Sequence, residues 1–163
     1  MTRALLVLLC VVLVAAGLLG MRRGWRNRLA RQSGLLPPLP ELPRDLGPAL
    51  LAGTGLYVGS TFAGSWQDRV LHGGLGERAD ATATLHERGL LVERQGSSEV
   101  FVPRELWREA RLAPGLAGMV VGEGGLLVLR WQLGPELVDT GFRADDKSTY
   151  PQWVRTINGK VVV

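Results

Sequence analysis

TGLYVGSTF occupies residues 54–62. Leu56, Val58 and Phe62 fall on one side of an extended chain and Gly55, Tyr57, Gly59 and Thr61 on the other, a repeat of two that predicts a strand. Similar runs follow at 79–86, where Ala81, Ala83 and Leu85 alternate with Thr82 and Thr84, and at 90–94 and 99–102. Arg88-Gly89 and residues 95–98 (QGSS) supply turns between them. Two later runs complete the series. In LLVLRWQL (126–133), Leu127, Leu129, Trp131 and Leu133 share a face, and in LVDTGFR (137–143) Val138, Thr140 and Phe142 point inward. Residues 103–112 (PRELWREARL) have a helical composition but lie among strands, so helix and strand stay open there. Short strands punctuated by glycine every eight to twelve residues describe a small sandwich or barrel.

The end of the chain changes texture. Ser148 or Thr149 is placed to cap a helix, Pro151 suits its first turn, and Trp153, Val154 and Ile157 form one apolar stripe before Asn158-Gly159. About seven strands followed by one amphipathic helix predict a mainly β domain over residues 49–163, a seven-stranded, partly open barrel with a C-terminal capping helix. This is the pleckstrin-homology-like (PH-like) plan.

Upstream, residues 32–48 carry prolines at 37, 38, 40, 43 and 48, each fixing φ and removing a backbone donor. They read as a semi-stiff, extended spacer rather than a docking motif. Residues 4–21 (ALLVLLCVVLVAAGLLGM) form 18 uncharged residues, about 27 Å as a helix, enough to cross a bilayer. Leu5, Leu9, Val12 and Leu18 would face lipid. Arg22, Arg23, Arg26 and Arg28 follow within ten residues, with Trp25 among them where an indole favours the headgroup zone. The chain thus divides into a transmembrane helix (4–21), a basic collar with a proline-rich tether (22–48), and the β domain (49–163). A signal peptide carries its charge before the apolar run. Here only Arg3 and the amino terminus precede it, so the bias predicts a single-pass cell-membrane protein with its N-terminus outside and its domain cytoplasmic.

Charge sorts the partners. Residues 1–31 hold six Arg and no acid, whereas residues 32–163 hold 13 Lys plus Arg against 15 Asp plus Glu. The high pI therefore belongs to the anchor, and nucleic acid is not an expected partner. One cysteine, Cys10, builds neither a disulfide nor a thiolate metal site, and His72 and His86 lack converging ligands, so no metal or cofactor is expected. His72-Gly73-Gly74 looks like an esterase oxyanion loop, but the chain has no G-x-S-x-G run, and Gly53-Thr54-Gly55 and residues 122–125 lack the context of a phosphate loop. No enzyme constellation emerges. The polar stretch that remains is Trp66-Gln67-Asp68-Arg69, which with Arg143 is the candidate interaction surface. Its structural alternative has Trp66 closing the barrel while Asp68 pairs with Arg69, Arg78 or Arg143.

GLYVGSTFAGSWQDRVLHGGLGERADATATL (55–85), LLVLRWQLG (126–134) and LVDTGFRADD (137–146) together resemble a family of small actinobacterial membrane proteins with a bacterial PH-like domain. The most specific stretches are Trp66 to Arg69 and Asp139 to Arg143. The resemblance implies the anchor and the fold, and genes often placed among those of pyrimidine biosynthesis. Some members are called transporters or export proteins, yet one apolar helix encloses no polar pathway. The expectation is a non-catalytic, membrane-anchored binding or adaptor module whose partners are the lipid bilayer and an unidentified protein. The alternatives are an accessory subunit acting through its transmembrane helix, or an uncharacterised enzyme.

Overall fold

The computed structural model of the chain describes residues 2–159, apart from the side chains at 2–5, 25 and 27–35. Leu5, Trp25 and Arg28, assigned above to the anchor, lie outside the described side chains. The chain separates into two units, Met1–Leu35 and Leu36–Val163. The first is a single helix, α1 (Thr2–Leu35), so the basic collar continues the helix of the apolar run. Its segment Leu6–Gly24 has a mean hydropathy of 2.1 and is long and apolar enough to cross a membrane. At 19 residues it rises about 28 Å.

The second unit is a seven-stranded antiparallel sheet. Its strands are β1 (Ala49–Phe62), β2 (Ala79–His86), β3 (Gly89–Arg94), β4 (Val100–Pro103), β5 (Trp107–Ala113), β8 (Leu126–Leu133) and β9 (Glu136–Ala144). They lie in the order β4-β3-β2-β1-β9-β8-β5. A separate hairpin, β6 (Gly115–Leu116) with β7 (Met119–Val120), interrupts the series, and α2 (Tyr150–Asn158) ends it. Strands β4 and β5 do not pair, so the sheet curls without closing. Residues 103–112 resolve as a single 3-10 turn, Arg104–Leu106, followed by β5. Pairing with β8 from Trp107 to Ala113 supplies the backbone partners that override the helical composition.

Two devices cover the split. Tyr150, Trp153 and Ile157 of α2 bury against the core. At the far end of that helix the Asn158 carboxamide meets the β5 edge with both its groups: it accepts from the Ala110 N–H at 2.7 Å and donates to the Ala110 carbonyl at 2.9 Å. Across the gap, the Trp107 indole donates to the Val102 carbonyl of β4 at 3.1 Å. The turn into α2 is held by Asp146 rather than by a capping Ser148 or Thr149 side chain, because its carboxylate accepts from both the N–H and the hydroxyl of Ser148. These bonds hold the Asp146 carboxyl below its ordinary range.

The core holds one continuous chain of polar groups. Tyr57 gives its only proton to the Leu75 carbonyl (2.8 Å), so it must accept from Ser60, which then accepts from Thr140, while the Trp131 indole donates to Thr140. Each buried hydroxyl in this series is satisfied, which is why the core tolerates them. Burial pushes the Tyr57 phenol up to about 12. The Arg94 guanidinium lies 4.8 Å above the same ring and donates to the Ser98 and Gly74 carbonyls.

The alternation first read in 54–62 changes phase midway. Pairing with β9 steps from Tyr57↔Phe142 to Gly59↔Gly141, leaving Val58 as the extra residue of a bulge. Gly59 accommodates this with φ of +125°. Tyr57 and Phe62 therefore pack into the main core, while Val58 packs outward, with Ala113, Leu116, Ala117, Leu126 and Val128 beneath the β6–β7 hairpin. The expected common face of Leu56, Val58 and Phe62 is broken at that bulge.

The proline-rich stretch also differs from a free spacer once past Leu35. Leu36 is buried in the main core, Leu39 packs against it, and the Pro37 carbonyl lies 3.0 Å from His72 Nε2. A Cβ added to Gly134 would come within 2.6 Å of Pro37 Cδ, and one added to Gly73 within 2.5 Å of Leu39 Cδ1. From Leu36 onward the segment is part of the folded unit, because its leucines bury apolar surface that an extended spacer would leave in water.

Candidate cleft beneath the β6–β7 hairpin

Alternation along β8 and β9 fixes which side chains point away from the core. With Leu129 and Trp131 inside, Arg130 faces out, and with Val138 and Thr140 inside, Asp139 does the same. A two-residue turn, Gly134-Pro135, joins the strands and sets Leu133 opposite Glu136, so Arg130 falls opposite Asp139. Gly134 at φ of +59° supplies the first central position that such a turn requires. Arg111 projects from β5 onto the same outer surface.

The three charges form one cluster. Arg130 holds Asp139 in a fork, Nε to Oδ1 at 2.8 Å and Nη2 to Oδ2 at 2.9 Å, and Arg111 Nη2 reaches Oδ2 at 2.8 Å. The Asp139 side chain is only 4% exposed, against 28% for Arg130 and 34% for Arg111. The carboxylate hydrogen bond raises the Arg130 guanidinium above its ordinary value. Asp139 has both oxygens engaged, whereas Arg111 commits only Nη2. Glu109 of β5 stands opposite Arg130 and adds to the rise of its guanidinium, so this face carries two guanidiniums and two carboxylates, of which Asp139 is the one hydrogen-bonded to both arginines.

Two walls rise around this floor and enclose a cleft of about 420 Å³. One is the loop after β1, with Gly64, Ser65 and Trp66; the other is the segment from Pro114 through the β6–β7 hairpin to Val120. Trp66 is 45% exposed and Val120 71% exposed, so the rim is apolar and wet. The hairpin turns on Ala117 (φ +50°) and Gly118 (φ +71°), the two positive φ values of a type I′ turn. Ala117 accepts this unfavourable geometry with its carbonyl held by Arg69 Nη2, while Arg69 Nη1 donates to the Gly76 carbonyl at 2.8 Å. Arg69 thus straps the hairpin to the 63–78 loop. Burial, with Arg78 nearby, lowers its guanidinium below the ordinary value.

The stretch Trp66-Gln67-Asp68-Arg69 therefore divides by role. Trp66 stands at the rim instead of closing the barrel, Gln67 is exposed, Asp68 is half-buried, and Arg69 is a brace. Arg143 is not gathered with them. It pairs with Leu56 near the opposite end of β9, five residues or about 17 Å along the strand from Val138, which lies opposite Phe62. Arg111, Arg130 and Asp139 take that place. The Gly-Pro turn between LLVLRWQL and LVDTGFR could have revealed Arg130 opposite Asp139, since a two-residue connection fixes register; Arg111 could not be found while its segment stayed open between helix and strand.

His72-Gly73-Gly74 is a 3-10 turn whose Gly74 carbonyl is taken by Arg94, and no group of three or more His, Cys, Asp and Glu converges among the described residues. A cavity inside the sheet, lined by Tyr57, Leu129, Phe142 and Trp153 among others, holds only about 20 Å³, so side chains fill this part of the interior.

A sequence profile of the family described as "Bacterial PH domain-like" matches residues 36–158. No curated protein matches the chain. Among solved structures, a chain of the 8S snRNP assembly intermediate aligns with a TM-score of 0.49 at 8% identity, covering 75% of this chain and 87% of its own. A chain from a structure of Vav1 inhibited by an allosteric inhibitor aligns with a TM-score of 0.43 at 16% identity, covering 86% of this chain and 34% of its own.

Proposed function

This chain belongs to the bacterial PH domain-like family, and from that premise we propose that it is a non-catalytic binding module held at the cytoplasmic face of a membrane by α1. The observation that supports a surface binding role is the contrast between a filled interior and an open cleft rimmed by Trp66. A half-exposed indole beside guanidiniums is the composition of an interface anchor. The cleft offers no nucleophile beside a base: its charged floor is an Arg–Asp–Arg cluster with the carboxylate saturated. Placement rests on charge: Arg22, Arg23 and Arg26 follow the apolar segment, and such residues favour the cytoplasmic side. The partner we propose is a protein.

Two measurements on the full-length chain in cells test this. With Cys10→Ser and a reporter Glu99→Cys, an impermeant maleimide should label only permeabilised cells; labelling of intact cells would refute cytoplasmic placement. A photoreactive residue replacing Val120 should give a discrete protein adduct that the same residue at Glu99 does not. Adducts formed only through α1 would move the function into the helix and make the chain an accessory subunit.

A further inference from the structure

We infer that the cleft beneath the β6–β7 hairpin takes a peptide carboxylate flanked by an apolar side chain, with Arg111 as the carboxylate-binding group. This rests on the binding-module reading and names the ligand class for it. The cluster supplies the polar contact of the guest. Arg130 forms a complete fork on Asp139, so those two groups neutralise each other, and Arg111 adds only one bond to Oδ2. Its remaining N–H groups make no hydrogen bond among the described residues, and it lines the cleft with a third of its side chain exposed. A guanidinium with free N–H groups, held in place by a buried carboxylate, is a preorganised donor to a single carboxylate, and Glu109 on the same face of β5 keeps the site from favouring a more highly charged guest.

The walls fix the rest of the guest. Trp66, Pro114 and Val120 line the same cleft as that guanidinium and offer it apolar surface. The volume, about 420 Å³, falls in the roughly 300–1,000 Å³ range of small-ligand sites. A monoanion with an apolar body satisfies both halves, as a peptide C-terminus or an acidic side chain next to Leu or Phe does. A phosphate group would bring about −1.5 to −2 charge at neutral pH to a face whose two guanidiniums are already offset by Asp139 and Glu109, leaving part of it unpaired. A flat bilayer surface would meet the rim but not Arg111 on the floor between the walls.

The test uses the full-length protein in phosphatidylcholine nanodiscs, with isothermal titration of acetylated tripeptides ending in Leu or Phe as free acids and as C-terminal amides. The acids should bind at least tenfold more tightly than the amides. Arg111→Gln should abolish that difference while leaving the Asp139 fork on Arg130 intact. Val120→Asp, whose side chain stands 71% exposed at the rim, should weaken the acids through like charge. Inorganic phosphate that displaces the acids at equal concentration would overturn the proposal in favour of an unselective anion site. Loss of peptide binding in phosphatidylglycerol nanodiscs would overturn it in favour of a lipid headgroup. If neither acids nor amides bind while the Val120 photoadduct persists, the carboxylate assignment falls and the binding module stands. If that adduct is absent as well, both fall.

Discussion

Replacing Asp139 by Asn tests the charged cluster most directly, because it keeps shape and removes charge. Three charge-assisted hydrogen bonds converge on this carboxylate, one at Oδ1 and two at Oδ2, from 2.8 to 2.9 Å. In its better orientation the amide oxygen replaces Oδ2 and still accepts from Arg130 Nη2 and Arg111 Nη2. Its NH₂ then faces the Arg130 Nε–H, donor against donor. One bond to a charged group is lost outright, worth about 1.5–3 kcal/mol, and the two others weaken. Breaking a fully buried ion pair costs about 3–5 kcal/mol, but both guanidiniums here are partly exposed and can rehydrate, so a net loss of about 2–3 kcal/mol is expected. For a domain of this size that lowers Tm by about 10 °C. Near-ultraviolet circular dichroism melts of the full-length protein in detergent read it, since Trp131 and Tyr57 report core packing. Arg111→Gln should cost less, about 1 kcal/mol, because it removes one bond from a more exposed partner. A fall below about 2 °C for Asp139→Asn would refute the reasoning and show that solvent already screens the cluster.

Three further outcomes follow from the same geometry. The chain has two tyrosines, Tyr57 pushed up to about 12 and Tyr150 also raised, both chiefly by burial. The folded state favours the neutral phenols, so their stabilising share is complete below about pH 10 and fades as pH climbs towards their folded values; absorbance at 295 nm should show less tyrosinate at pH 10 in the folded chain than in the unfolded one. Asn158→Ala removes both bonds to Ala110 and should cost about 1–2 kcal/mol, with hydrogen exchange at the Ala110 amide accelerating more than at its neighbours in β5. Asp146, whose carboxyl is held low, contributes only while ionised; the Ser148 amide resonance should move as pH falls below the ordinary aspartate range, and remain fixed between pH 5 and 8.

Much of this architecture could be read from residue order alone, and the places where reading stopped have physical causes. The run 79–86 buries one face and alternates cleanly, and in 126–133 Leu127, Leu129, Trp131 and Leu133 share the core face as their period predicts, although Leu126 and Val128 are buried on the outer face as well. In 54–62 a bulge inserts one residue, and alternation cannot reveal it because Val58 is buried on the outer face as fully as Tyr57 is on the inner. Residues 103–112 have helix-forming side chains yet become β5, since the open edge of β8 offers hydrogen bonds that local propensity cannot outweigh. Prolines in the 36–48 segment excluded helix and central strand correctly, but docking depends on what Leu36 and Leu39 touch, which is a tertiary fact. The cleft was half legible. Trp66 stood out as a large ring in a polar loop, whereas Arg111 meets Asp139 only through the order of three strands.

The carboxamide clasp on Ala110 has a consequence for crowding. If α1 spans a bilayer as proposed, the chain diffuses in two dimensions, where neighbours meet at high effective concentration. Under that regime an unpaired strand is a template on which a second copy can add its own backbone, and the sheet could grow from molecule to molecule. On β5 the outward amide and carbonyl of Ala110 are already spoken for by Asn158, and on four-residue β4 the Val102 carbonyl is taken by Trp107. At these two positions the split that leaves the sheet open is thus closed by the molecule's own side chains, which makes each edge a poorer template for a second copy.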